Sequence, residues 1–502
     1  MKRIGLLLCR PSFLYLRSKI TILKKLLLAL LLIIIGIASI IIYQTTQLSP
    51  VAYTPLKRVS VNASAEALQG ALRFKTISHK KEMIDTAAFT GLHNHLDSAF
   101  PLITQHLKKE IVNDFSLLYT WPGSDKKAGN IVLMGHQDVV PVEYATREQW
   151  VADPFGGTIK DGFIYGRGTL DDKGCTVSIL NAVEGLLQKG FTPKQTIYFC
   201  FGHDEEIGGQ QGAVEIVKVL KQKGVKANLV LDEGGTLSKG IVPGVNDPVA
   251  LIGISEKGYM SVDLSVSIAG GHSSMPEERN ALRVLTDAIY KLNHHPLPNQ
   301  ITPPIQGFIE HVGPHLPFTQ KMAFANTWLF KHLIFSVYEK SASGAALIHT
   351  TQVNTIIQAG IKDNVVPNNA SAVINYRLLP GDTPEKVLEH IKTTINDSAV
   401  RISIHDDFKE EPSPVSDYKH QSFTQIASAV KAIYPDAIVS PYMVLGATDG
   451  RYFYEISDHV YRFSPFPMTK DDLPRIHGIN ERIAVKDYST AVDFYATLLS
   501  SF

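Results

Sequence analysis

Three short apolar runs in this chain each end in side chains of the kind that hold metal ions. The run 131–135 ends in His136-Gln137-Asp138, the run 196–201 leads through Gly202 and His203 to Asp204-Glu205-Glu206, and the run 228–231 ends in Asp232-Glu233. His136 and Asp138 stand two apart, which at a strand end puts them on the same side. A zinc-binding histidine usually donates its second ring N–H to a carboxylate or carbonyl, and Asp138 is placed for that orienting role. Glu205 and Glu206 are adjacent, so their side chains diverge. One is free to ligate a metal while the other takes a proton from an attacking water. A fourth segment, GRGTLDDKG at 166–174, is a glycine-rich turn into a helical stretch. It lacks the glycine spacing of a phosphate-binding loop or a dinucleotide fingerprint. Asp171 within it offers two carboxylate oxygens, one for each of two ions, and metals about 3.5–4 Å apart need such a bridging ligand. The chemistry these residues suit is hydrolysis by metal-activated water.

The elements that must position them alternate. The apolar runs at 131–135, 196–201 and 228–231 read as buried parallel strands, and 176–188 and 213–223 as the helices between them. That alternation predicts an α/β domain with a parallel sheet, in which ligands bind outside the carboxyl ends of the strands. From about residue 258 the order becomes β-α-β-β-α-β: strands at 259–268, 352–359, 370–378 and 400–405, helices at 281–292 and 384–395. This is a split βαβ unit, an α+β (ferredoxin-like) domain inserted into the first. An apolar, aromatic stretch, 297–348, interrupts it with helical character and reads as ordinary core or subdomain packing ahead of a dedicated acyl-binding surface. The expected organisation is a basic segment 1–25, an apolar segment 26–43, a polar linker 44–60, a first catalytic part 61–257, the inserted domain 258–408 and a second catalytic part 409–502.

GHQDVV, GRGTLDDKG, GHDEE, LDEGG, GGHSS and RIHGINE, in this order and at these distances, resemble the co-catalytic dizinc metallopeptidases. That family includes carboxypeptidase S, aminoacylase and succinyl-diaminopimelate desuccinylase. SEKG at 255–258, GATD at 446–449 and Trp328-Leu329-Phe330 are shared with the branch of carboxypeptidase S and the N-fatty-acyl-amino-acid synthase/hydrolase. The resemblance covers nearly everything after the linker. It implies two Zn2+ per subunit, with Co2+ or Mn2+ as alternatives. Asp171 would bridge them, His136 and Asp232 completing one site and Glu206 and His477 the other. It also implies Glu205 as general base and acid with Asp138 in support, His272 as the group that stabilises the oxyanion, and Asn364 and Arg377 as holders of the substrate's carboxylate. The substrate implied is a short peptide, cleaved as by a carboxypeptidase, or an N-acyl amino acid. In relatives the inserted domain acts as a lid and often mediates a homodimer that donates its histidine across the interface. The insertion at 297–348 departs from the shorter members.

Bulk properties bound the rest. With 44% hydrophobic and 19% charged residues the chain is globular. Seven basic and no acidic residues lie in 1–25, leaving 42 basic against 48 acidic residues in the body. A mildly acidic body argues against nucleic acid as a partner. The basic cluster precedes 18 residues, 26–43, that carry no charge. At about 20 residues per bilayer crossing this is a transmembrane helix. A cleaved signal peptide is the rival reading, but the basic lead is long and no clear small-x-small site follows, so the segment reads as an uncleaved anchor, its basic side cytoplasmic and the body extracytoplasmic. Cys175 and Cys200, the only cysteines beyond the anchor, cannot form a disulfide framework and read as buried apolar residues.

Overall fold

The computed structural model describes residues 12–78 and 84–502; Lys2, Arg3, Cys9 and Arg10 of the basic segment lie outside them. The body is built on a ten-stranded sheet whose centre is parallel: Thr196–Gly202, Asn130–His136, Ala227–Asp232 and Val460–Arg462 lie side by side in that order. Each of the three strands expected in this sheet is present, and its bounds move outward by no more than one residue. Strand Asn130–His136 is apolar from Ile131 to Met134 because both its faces are covered there. Ile131 and Leu133 pack into one core with Val177 and Leu180 of the helix Lys173–Gln188. Val132 and Met134 pack into another with Ile216 and Leu220 of the helix Ala213–Gln222. Each such fully buried side chain contributes roughly 1.5–3 kcal/mol.

The sheet is mixed, not wholly parallel as the alternation had suggested. At one edge the hairpin Lys108–Val112 and Ser116–Trp121 adds antiparallel strands beside Thr196–Gly202. Its turn is made by Asn113 and Asp114, both at positive φ (46° and 73°), a conformation these two residue types tolerate best after glycine. Toward the other edge, Val249–Glu256 runs antiparallel to Val460–Arg462 and parallel to Ile438–Val444.

Residues from Gly258 to Glu410 form a separate four-stranded antiparallel sheet in the order Thr351–Ala359, Asn369–Leu378, Gly258–Ser267, Val400–Glu410. Helices Ala281–His294 and Pro384–Ile395 cover one face through Val284, Leu285, Val387 and Ile391. That is the split βαβ topology read from the sequence.

Two further features differ from expectation. Residues 44–60 are not a free linker: after the helix ends at Gln47, the segment is strapped to the body. Arg58 pairs with Asp493 at 2.7 Å, Leu56 N–H donates to Ser428 O, and Tyr53, Leu56 and Val59 pack on the main core. The stretch 297–348 is helical, as expected, but only partly packed. It comprises Pro303–Val312, Phe318–Ala325, Thr327–Tyr338 and Ala342–Ile348, and the third of these buries only Ile334. The apolar segment 26–43 lies inside one long helix, Ser12–Gln47, that is long and apolar enough to cross a membrane. Cys175 and Cys200 are free and buried.

Candidate metal centre

In the parallel register His136 stands beside Gly202, so the first two strand ends emerge together. Both histidine-bearing turns need the glycine before them. A Cβ on Gly135 would lie 2.6 Å from Asp172 Oδ2, and one on Gly202 would lie 2.7 Å from Asp449 Oδ2. His136 is buried, with Nδ1 3.0 Å from the Asp138 carbonyl and 3.3 Å from Asp138 Oδ1. Its Nε2 points the other way, 2.9 Å from Asp171 Oδ1 and 4.0 Å from Glu205 Oε2. Asp138 also accepts from Ser78 Oγ at 2.6 Å and from the backbone N–H groups of Glu205 and Glu206 at 3.2 and 3.1 Å. One buried carboxylate thus orients the histidine and holds the turn that carries both glutamates. Burial opposes its charge, but hydrogen bonds from His136 and Ser78 keep its pKa below the ordinary carboxylate value.

Asp171 faces two ways. Its Oδ1 meets His136, while Oδ2 lies 3.0 Å from His477 Nε2, which is in turn 3.2 Å from Glu206 Oε2. Two donor groups result, His136–Asp171–Glu233 and Asp171–Glu206–His477, the ligand atoms of each lying within 4.8 Å of one another. The expected partner at the third strand end is Asp232, and the donor group found there contains Glu233. Asp232 is still inside the sheet, paired with Arg462, and its Oδ2 accepts from Gly450 N–H at 2.6 Å. Glu233, the first residue past the strand, joins the cluster instead. LDEGG contains both acids, so only the position of the strand end separates them.

The donor set fits divalent metal ions. Imidazole with carboxylate is the ligand mixture of hydrolytic zinc. Glu206 Oε1 is buried with no hydrogen-bond partner among the described residues. Hydrogen bonds to Asp171 and Glu206 push the His477 pKa up to about 10. Burial works against a charged His136, yet its bonds to Asp138 and Asp171 hold its pKa well above the usual imidazole value. Burial, then Asp449, Asp171 and Asp138, push Glu205 well above the usual carboxylate range. So many buried carboxylates facing one another call for positive charge between them.

A clamp behind the cluster was not foreseen. Glu481 is fully buried and accepts from Arg167 Nη1 at 2.7 Å and from the N–H groups of Gly168, Leu170 and Asp171 at 3.0, 2.7 and 3.3 Å. Arg167 Nη2 donates to the carbonyls of His477 and Gly478 at 3.0 and 3.1 Å. Both residues lie within motifs quoted from the sequence, but nothing in their spacing tells that they meet.

The remaining candidates lie on the second sheet. His272 is exposed, its Nδ1 accepting from the Ser274 backbone N–H at 3.1 Å, and no hydrogen bond joins it to the cluster among the described residues. Asn364 is adjacent, its carbonyl accepting from Ser273 N–H at 3.3 Å. Arg377 stacks on the Tyr259 ring at 4.7 Å and forms no ion pair with a described residue. The single chain therefore brings His136, Asp138, Asp171, Glu205, Glu206 and His477 together, and leaves His272, Asn364 and Arg377 outside the cluster.

Residues 132–501 match the model of peptidase family M20/M25/M40. The chain belongs to this family. It is 39% identical over 442 residues, 87% of this chain and 84% of the relative, to a probable carboxypeptidase S-like protein of Dictyostelium discoideum. It is 38% identical over 440 residues, 87% of this chain and 85% of the relative, to an N-fatty-acyl-amino acid synthase/hydrolase of Xenopus tropicalis. Among solved structures, an M20 metallo-carboxypeptidase of Sulfolobus solfataricus superposes with a TM-score of 0.61 at 21% identity, covering 88% of this chain and 99% of that one. That likeness establishes the shared fold. Membership makes the chain a metal-dependent hydrolase of this family.

Proposed function

We propose that this peptidase hydrolyses the amide bond of short peptides or N-acyl amino acids at a centre of two divalent metals, most fittingly zinc. The observation that carries the reading is Asp171, whose two carboxylate oxygens face two different imidazoles, His136 and His477, at 2.9 and 3.0 Å. His136 and Glu233 would hold one ion with Asp171, and Glu206 and His477 the other. Ions so held supply Lewis acidity at the scissile carbonyl and lower the pKa of water. The protein's own groups do the rest. Glu205 stands beside the cluster, 4.0 Å from His136 Nε2, and serves as base and then acid. Asp138 fixes the His136 ring and the Glu205–Glu206 turn. The relatives named as carboxypeptidase S-like and N-fatty-acyl-amino acid synthase/hydrolase support the substrate class, and the latter supports synthesis as the reverse direction.

The four-stranded sheet would act as a lid carrying His272 and Asn364 as oxyanion and substrate contacts, with the stacked, unpaired Arg377 as a carboxylate holder. Because His272 stands away from the cluster of its own chain, a homodimer that donates it across the interface is the assembly we favour. The exposed Val353, Ile356 and Ile357 on the edge strand Thr351–Ala359 support it. The helix Ser12–Gln47 would be a membrane anchor, its basic side cytoplasmic and the body on the extracytoplasmic face. The test is turnover by the zinc-loaded chain of blocked dipeptides beside N-fatty-acyl amino acids. Hydrolysis of either class is expected, and failure on both refutes the reading.

A further inference from the structure

Helix Thr327–Tyr338 turns apolar side chains to solvent. Trp328, Leu329, Leu333 and Val337 are each between 44 and 55% exposed. Residues 329, 333 and 337 recur every four positions and form one face, while Trp328, about 100° round the helix from Leu329, is exposed at the end of the helix that meets the N-terminal helix. An exposed apolar face of this kind on a globular body marks an interaction site.

Hydrogen bonds fix the position of this face along the N-terminal helix. Trp328 Nε1–H donates to Gln44 Oε1 at 2.9 Å. Asn326 Nδ2 donates to Thr45 Oγ1 at 3.2 Å and to Ile41 O at 3.3 Å, and Thr45 is buried by the contact. The preceding helix, Phe318–Ala325, packs on the same end of the N-terminal helix. The charge-free run 26–43 spans about 27 Å at 1.5 Å per residue, close to the hydrocarbon thickness of a bilayer. Its apolar character ends at Tyr43, where the polar Gln44-Thr45-Thr46-Gln47 begins, so Ile41 to Thr45 mark the level where acyl chains give way to headgroups. A surface clipped to that level faces the same medium as the helix it is clipped to. Tryptophan favours this boundary, and the exposed Lys331 and His332 on the same helix supply polar contacts for headgroups.

We propose that the exposed face of Thr327–Tyr338 is a second membrane contact, with Trp328, Leu329, Leu333 and Val337 seated among the upper acyl chains of the bilayer that holds the anchor. The body is then fixed against the membrane at two points and does not swing from one. The proposal rests on the anchor reading above. The bilayer is the occupant, ahead of a protein partner, because the face is continuous with the lipid-facing side of the anchor helix.

The test reconstitutes the full chain in vesicles of phosphatidylcholine brominated at shallow acyl positions, then washes them with alkaline carbonate. Trp121 and Trp150, the other two tryptophans, are buried, so the difference in emission between the parent chain and Trp328→Phe reports Trp328. The expected result is a carbonate-resistant chain that loses most of this difference emission in brominated relative to unbrominated vesicles. Leu333→Asp, which keeps Trp328, should weaken that quenching. A resistant chain whose Trp328 emission is equal in both vesicles overturns the proposal and leaves the anchor reading standing, and so does quenching untouched by Leu333→Asp. A chain stripped by carbonate overturns the anchor reading and the proposal with it.

Discussion

Replacing Glu481 by Gln removes one charge from a position with no contact to substrate, and the structure says it should damage the metal centre. The Glu481 carboxylate receives the Arg167 guanidinium and three backbone N–H groups of 168–171, the turn that presents Asp171. Arg167 also holds the carbonyls of His477 and Gly478, so one buried pair ties the turn that carries Asp171 to the segment that carries His477. Gln keeps the shape and one acceptor oxygen, but its amide nitrogen must face a donor, either Arg167 or a backbone N–H. Leaving a buried charge without its partner costs about 3–5 kcal/mol. The retained oxygen recovers part of this, so we expect a loss of stability of about 2–4 kcal/mol. Disturbing groups that orient metal ligands commonly lowers metal affinity or activity by about 10- to 100-fold. The control is Arg58→Met, which breaks the Arg58–Asp493 pair, where the arginine side chain is 52% exposed and the cost should be about 1 kcal/mol or less. The assays are metal content by mass spectrometry, kcat, and thermal unfolding of both variants. If Glu481→Gln binds metal and turns over within twofold of the parent, the clamp does not position the site.

Three further outcomes test the centre itself. Asp171→Ala removes an oxygen from both donor groups and should abolish turnover and lower metal content, and a variant that retains two ions and normal kcat refutes the bridging role. Glu205→Gln should keep its metal and lose about 10²–10⁴ in kcat, the usual worth of general acid–base catalysis, whereas Glu206→Gln should lose metal and recover partly with added zinc. The reverse pattern would exchange the two roles. Glu233→Gln should release metal where Asp232→Asn retains it, measured by metal titration of the two proteins; loss of metal from Asp232→Asn alone would restore the original expectation.

The side-chain types that make the site were legible in the sequence, because each follows an apolar run long enough to be a strand and a parallel sheet brings such ends together. The pairing of His136 with Gly202 bears that out. Direction was harder. Neighbouring residues at a strand end point to opposite sides, so an error of one residue in the end swaps Asp232 for Glu233. The mixed sheet escaped because its antiparallel additions depend on the turn at Asn113-Asp114 and on a strand arriving late in the chain, features that apolar patterning between 130 and 232 does not contain.

The same limit accounts for the helical insertion. Aromatic and aliphatic residues at 328–338 look alike whether they fill a core or face lipid, since composition records the medium's polarity and not its identity. What separates the two is the hydrogen bonding of Asn326 and Trp328 to Thr45 and Gln44, nearly three hundred residues away in the chain. A polar group at the end of an apolar helical run costs free energy when it is buried unpaired and is satisfied when it is joined. Thr45 and Gln44 therefore give the body a fixed place on the helix, and the apolar face of 327–338 is held beside the end of the apolar run with it. The candidate centre is held by buried carboxylates and the proposed membrane contact by exposed apolar groups. Each is intelligible only once the partner across the sequence is known.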